Sequence, residues 1–198
     1  MYFYPEDAGT LEMIVGPMFA EKSGELINKC STMQTYGKKK VIAFKPKIDN
    51  RFEEDYIVSR LGNKFKATNL ETTITDQIIE RLLEQVQDYD VVAFDEVQLY
   101  SKKIIELVSK ILEQGKHVIC AGLNLDYTGR EFKYIGGLLA LADNIIVKKA
   151  YCSICGKPAK FTQRLENGKP SKLGKTVVIG NEEYTPRCSK CFVSPFSL

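Results

Sequence analysis

The strongest constraint on the fold of this chain is an alternation. Short apolar runs at residues 10–16, 41–44, 91–94, 117–121 and 145–147 take turns with stretches of helical spacing. Leu26, Ile27, Cys30 and Met33 recur at helical intervals within residues 23–36. Ile74, Ile78, Leu82 and Val86 mark a second helix. Ile104, Leu107, Val108, Ile111 and Leu112 mark a third, closed by Gly115. Runs of Val and Ile without polar alternation predict strands buried on both faces, residues 145–147 among them. Such strands alternating with amphipathic helices predict an α/β fold with a mainly parallel sheet covered on both faces. Residues 46–70 are polar, with Asp, Asn and Gly, and predict a long loop carrying one edge strand at most. The chain has 198 residues, 44% of them hydrophobic, which suits one domain of about 150 residues plus a small appendage. The boundary is expected near residue 149, giving units 1–149 and 150–198.

The appendage carries the sharpest motif. Cys152 and Cys155 form one C-x-x-C unit, and Cys188 and Cys191 form another. Each tight turn offers two sulfurs to one ion, and two turns fill a tetrahedral zinc shell with no position left for water. The predicted role is structural zinc. Two disulfides or four free thiols are the alternatives, and the opening residues lack the basic flank and apolar run of a secretion signal. Residues 156–187 then read as a loop clamped at its ends by the metal, placed to lay a binding segment over the larger domain.

Composition excludes several classes. No apolar run approaches the roughly 18 residues of a membrane helix, and a cytoplasmic protein is expected. With 28 basic and 25 acidic residues the net charge is +3, too even to indicate nucleic acid as a partner. Lys38, Lys39 and Lys40 read as a solvated turn. Cys30 and Cys120 lie in apolar patterns and read as packing residues. His117, the one histidine, opens a buried strand and reads as structural.

The chemistry gathers at strand ends. Gly16, Pro17, Met18, Phe19, Ala20, Glu21, Lys22 and Ser23 follow the first strand and open the first helix, the position of a phosphate-binding P-loop. Backbone N–H groups there would cradle phosphates, with Lys22 on the transferred phosphate and Ser23 on magnesium. Glu21 stands where the pattern G-x-x-x-x-G-K-[ST] has its second glycine. Residues 91–94 end in Asp95 and Glu96. An Asp at such a tip holds magnesium in P-loop proteins, and an adjacent Glu is available as general base. Beyond residues 117–121, Tyr127 and Phe132 are candidates to stack on a planar base and Arg130 to neutralise phosphate. Each is equally suited to packing.

The order of these parts resembles the type II, cytosolic-type, thymidine kinases. The resemblance rests on Gly16-Pro17-Met18-Phe19 with Lys22-Ser23, on Phe44-Lys45-Pro46-Lys47-Ile48-Asp49-Asn50-Arg51, on Asp95-Glu96-Val97-Gln98, on Ala121-Gly122-Leu123 with Asp126-Tyr127 and Gly129, and on the two C-x-x-C units. It spans about residues 10–193. It implies a RecA-like domain for nucleotide, a zinc-anchored lasso domain for substrate, and a homotetramer. It implies transfer of the γ-phosphate of ATP to the 5′-hydroxyl of thymidine, with Glu96 as base. Lys22, Ser23, Asp95 and Gln98, with Asp49, Arg51 and Arg130, fall on the ATP and magnesium side. Met18, Leu123, Tyr127 and Phe132 fall at the thymine pocket. Tyr184 falls near the sugar, and Val178, Ile179 and Gly180 at the base edge. Feedback by a thymidine nucleotide fits the same reading. Glu21, Ala20, Leu99-Tyr100, Ser59-Arg60 and Phe132-Lys133 depart from the family pattern. Two other readings compete: a P-loop ATPase with a zinc binding module, and a catalytically impaired relative, which Glu21 favours.

Overall fold

A computed structural model describes residues 9–49, 55–174 and 183–197. Its centre is a six-stranded sheet in the order β5-β2-β6-β7-β1-β8, parallel throughout. The strands are β1 (Thr10–Val15), β2 (Val41–Pro46), β5 (Thr68–Leu70), β6 (Val91–Phe94), β7 (His117–Gly122) and β8 (Asn144–Val147). Thr10 and Val91 both pair with His117, so β1, β6 and β7 start in register, and Val15 ends opposite Gly122 and Phe94 opposite Cys120. Their carboxyl ends are where an open parallel sheet builds its ligand crevice.

Alternation along the strands feeds two cores. Leu11, Met13 and Val15 of β1 join Phe44, Phe94 and Cys120 in a core under α2 (Asp76–Gln85), α3 (Ile104–Glu113) and α4 (Ile135–Leu141). Ile14, Ala43, Ala93 and Ile119 face the other way. They pack with Leu26, Ile27 and Cys30 of α1 (Lys22–Thr35), and with Ile57 of β3 (Tyr56–Val58) and Phe65 of β4 (Lys64–Lys66). The sheet is therefore covered on both faces as predicted. Burial pushes the Cys30 thiol up to about 12 and raises that of Cys120 as well, as inert packing residues require.

The structure corrects three expectations and adds one helix. Residues 46–70 hold an antiparallel hairpin, β3 with β4, as well as edge strand β5. At three residues each, they are too short to show a period. β8 is not buried: it is the outer edge, with Ile145 44% and Val147 59% exposed. α4 had no periodic signal because Gly136 and Gly137 open it, at roughly 1 kcal/mol each relative to alanine. Gly137 is there for contact, since a Cβ would come within 2.6 Å of Ile105. Finally, residues 156–187 are not only a loop. β11 (Phe161–Glu166) pairs with β12 (Lys169–Pro170) and β13 (Glu183–Arg187), beside a small ladder of β9 (Ala150–Tyr151) and β10 (Pro158–Ala159).

Lys38 and Lys40 lie on an exposed turn, as read. His117 donates or accepts at 2.7 Å with Thr10 Oγ1, and burial lowers its pKa, which fits a structural role. Among the described residues no helix is long and apolar enough to cross a membrane.

Candidate active site

β1 ends at Gly16, where the backbone runs so close to the next segment that a Cβ would meet the Lys148 carbonyl oxygen at 2.4 Å. The loop then turns through Phe19 (φ 68°) and Glu21 (φ 53°), both left-handed. Glu21 precedes α1 and offers no side-chain cap to it. The helix N-terminus thus keeps donors for an anion. Lys22 is buried and donates to the Pro17 carbonyl at 2.8 Å, so the ammonium lies inside the loop. The Glu21 carboxylate folds back over Gly24: a Cβ on Gly24 would lie 2.8 Å from Oε2, beside Ser59 of the hairpin. Arg60 of the same hairpin stacks on Phe19, 4.2 Å from the ring centroid.

Across the crevice, Ser23 Oγ donates to Asp95 Oδ2 at 2.9 Å. Asp95 sits at the tip of β6 and also accepts from the Glu96 N–H at 3.0 Å. Burial pushes its carboxyl up to about 7; the neighbouring Glu96 charge adds to this, while Ser23 opposes it. A pair of hard oxygen donors at this spacing suits magnesium. Glu96 adopts φ 47° and opens a short 3₁₀ turn, Val97–Leu99. This left-handed step, rather than strand alternation, separates its side chain from that of Asp95. Glu96 Oε2 accepts from Gln98 Nε2 at 2.5 Å, and Gln98 Oε1 accepts from the Leu123 N–H at 3.0 Å. The buried Gln98 amide thus ties the carboxylate to the loop beyond β7. Gly122 makes room for it, since a Cβ there would lie 2.5 Å from Gln98 Oε1.

The four sulfurs of Cys152, Cys155, Cys188 and Cys191 lie within 4.8 Å of one another, and those of Cys155 and Cys188 are 3.6 Å apart. A tetrahedral Zn–S distance of about 2.3 Å requires sulfur separations of roughly 3.8 Å, so the quartet fits one zinc ion. Burial raises the Cys152 thiol, but backbone N–H groups of Cys188, Ile154 and Cys155 outweigh it and bring it to about 6. Cys188 is lowered too, whereas burial and the other three thiols push Cys191 up to about 12. The quartet also touches the loop after β1. Ala20 packs in one cluster with Ala150, Cys152, Ala159 and Cys188, and the Met18 N–H donates to Thr162 Oγ1 of β11 at 3.0 Å.

The family model for thymidine kinase matches residues 9–192 of this chain. The curated thymidine kinase of Thermococcus kodakarensis is 40% identical over 191 residues, covering 94% of this chain and 95% of that one. The chain belongs to the thymidine kinase family. The match takes in the loop of residues 16–23, the Asp95–Glu96 tip and the cysteine quartet.

The remaining site residues take varied places. Leu123 is half-buried beside Gln98. Phe132 is 5% exposed and packs in the core under the helices α2, α3 and α4. Tyr127 is 3% exposed and its hydroxyl bonds to the backbone of Gly174. Arg130 lies over the Phe196 ring at 3.9 Å, so its guanidinium faces the C-terminal turn. Asp49 closes the turn after β2 through its N–H to Pro46. Tyr184 pairs with Arg164 across β13 and β11. Arg51, Val178, Ile179 and Gly180 lie outside the described residues. Sequence reasoning missed Thr162 and Arg164, both buried, and Asp126, whose carboxylate caps the loop through Thr128 and the Arg130 N–H. The Asp-Tyr-Thr-Gly turn chemistry was a signal for Asp126. Thr162 and Arg164 had none, because a polar strand in a small module resembles a loop.

Proposed function

We propose that this chain transfers the γ-phosphate of ATP to the 5′-hydroxyl of thymidine, giving thymidine monophosphate. The observation that carries the reading is the meeting of Ser23, Asp95 and Glu96 at the ends of β1 and β6, beside the N-terminus of α1, which has no side-chain cap. Backbone N–H groups of residues 16–23 hold the phosphates, with Lys22 released from Pro17 to meet them. Ser23 and Asp95 are the residues that would hold magnesium, which offsets phosphate charge when bound. Glu96, oriented by Gln98, accepts the proton of the 5′-hydroxyl as the oxygen attacks in line. Little covalent chemistry falls to the protein, so positioning dominates.

We assign residues 1–149 to the nucleotide and residues 150–198 to the nucleoside. Met18, Leu123 and Tyr184 are the nucleoside-facing positions, with the buried Tyr127 behind them and residues 178–180 at the base edge. Structural zinc in the cysteine quartet holds the second unit against the first. A cytoplasmic homotetramer, subject to feedback by a thymidine nucleotide, completes the reading, and the exposed apolar edge of β8 supports the assembly. The Glu21 carboxylate turned over Gly24 weighs against the impaired-relative reading.

The test is thymidine-dependent release of ADP from magnesium-ATP. Glu96→Gln should lower kcat by about 10²-fold or more and leave the KM for thymidine within a few-fold. Turnover unchanged in that variant would remove Glu96 from the mechanism.

A further inference from the structure

The buried Tyr127 ring stands outside the main cores, and its hydroxyl is fully used. It accepts from the Gly174 N–H at 2.8 Å and donates to the Gly174 carbonyl at 3.1 Å. One phenol thereby satisfies both backbone groups of one residue in the other module. Over the ring lies Arg164, its guanidinium 3.9 Å from the centroid. Arg164 is 2% exposed, and the Glu166 carboxylate, 3.7 Å away, lies largely in solvent. A buried cation costs several kcal/mol unless its donors are well used. Here they converge on the same short segment. Nε donates to Ser171 Oγ at 2.9 Å, and Nη2 donates to the Lys172 carbonyl at 3.4 Å. A Cβ on Gly174 would lie 2.8 Å from Nη2, so a glycine is what lets the chain pass there.

The face of β11 explains the convergence. Thr162 and Arg164 are two residues apart and share one face. Thr162 takes the Met18 N–H of the phosphate-binding loop, and Arg164 takes the Tyr127 ring of the loop after β7. Tyr184 stands directly opposite Arg164 on β13. This face of β11 thus meets both loops that the proposed function gives to the substrates.

We infer that the Tyr127 hydroxyl and the Arg164 guanidinium act together as a latch that positions the nucleoside side of the site. They pin Gly174 to the loop after β7, and thymidine affinity depends on that pinning whereas phosphoryl transfer does not. Both are positioning residues, acting through Gly174 rather than on the reacting atoms. The inference rests on the thymidine kinase reading. A phenylalanine at 127 would keep the ring and the cation contact but leave the Gly174 N–H and C=O without partners.

The experiment uses the full zinc-loaded chain. Tyr127→Phe should raise the KM for thymidine about tenfold, the weight of one or two neutral hydrogen bonds. Its kcat and its KM for ATP should stay within about twofold, since the latch touches neither. Arg164→Lys, which keeps the charge and loses the planar stack, should act in the same direction. The double variant should exceed the larger single effect only slightly, because both act through one segment. A thymidine KM unchanged in Tyr127→Phe, with or without a lower melting point, would overturn the latch and leave packing. A fall in kcat at constant KM would overturn it as well. If the unaltered chain transfers no phosphate to thymidine, the kinase reading fails by itself. The latch is then tested by calorimetric thymidine binding, where equal affinity in the two chains sinks it.

Discussion

Glu21 and Glu96 share an uncommon backbone state, at φ 53° and 47°. A left-handed non-glycine residue costs roughly 1–2 kcal/mol, and such strain gathers where a site over-determines the chain. For Glu96 the strain has a use, because it turns the carboxylate toward Gln98. For Glu21 the same conformation is the one its motif ordinarily gives to glycine. The sequence exposed the substitution but not its dihedral angle. Glu21→Gly should raise stability by about 1 kcal/mol, the lost strain being partly offset by the entropy of a new glycine. That corresponds to a melting point higher by about 2–4 °C in a chain of this size. The KM for ATP should stay within about twofold, since the carboxylate is already turned over Gly24. A calorimetric scan in the absence of nucleotide checks the first claim. An unchanged or lower melting point would mean that the carboxylate over Gly24 stabilises the loop more than its backbone strains it.

At the scale of elements, most strands and helices were legible because period and apolarity are local properties. The failures are equally physical. β8 reads like a core strand, Ile145-Ile146-Val147, yet sits at the edge with two of these side chains exposed. Nothing in three apolar residues states whether a neighbour lies beyond them. An exposed apolar edge strand invites pairing with another chain, and Leu141, 42% exposed, extends the apolar surface at the end of α4. Val147→Lys should therefore lower the assembled mass in light scattering while the circular dichroism of the folded chain persists, since the side chain points outward. A mass equal to that of the unaltered chain would free β8 from any part in assembly.

For the molecule as a whole, the join between the modules matters most. Ala20 of the phosphate-binding loop packs with Cys152 and Cys188, and Met18 is bonded to Thr162. The cysteine quartet therefore packs against the loop after β1. Zinc removal by a chelator should raise the KM for both ATP and thymidine several-fold. The helical circular dichroism of α1, α2 and α3 should largely survive, since the two sheet cores lie apart from the cysteines. A rise in the thymidine KM alone would show that the Ala20 contact has no bearing on the nucleotide.

The parallel sheet, the loop of residues 16–23, the Asp95–Glu96 tip and the cysteine quartet were legible in the sequence alone. Each is written in residues close together, or in a spacing that one type of side chain repeats. Only the tertiary structure decided how these parts are tied. The Gln98 bridge to Leu123 spans 25 residues, the Tyr127 bond to Gly174 spans 47, and the Met18 bond to Thr162 spans 144. Bonds over such separations leave no local pattern. A threonine, an arginine and a tyrosine in polar stretches look alike until the fold brings their partners within reach.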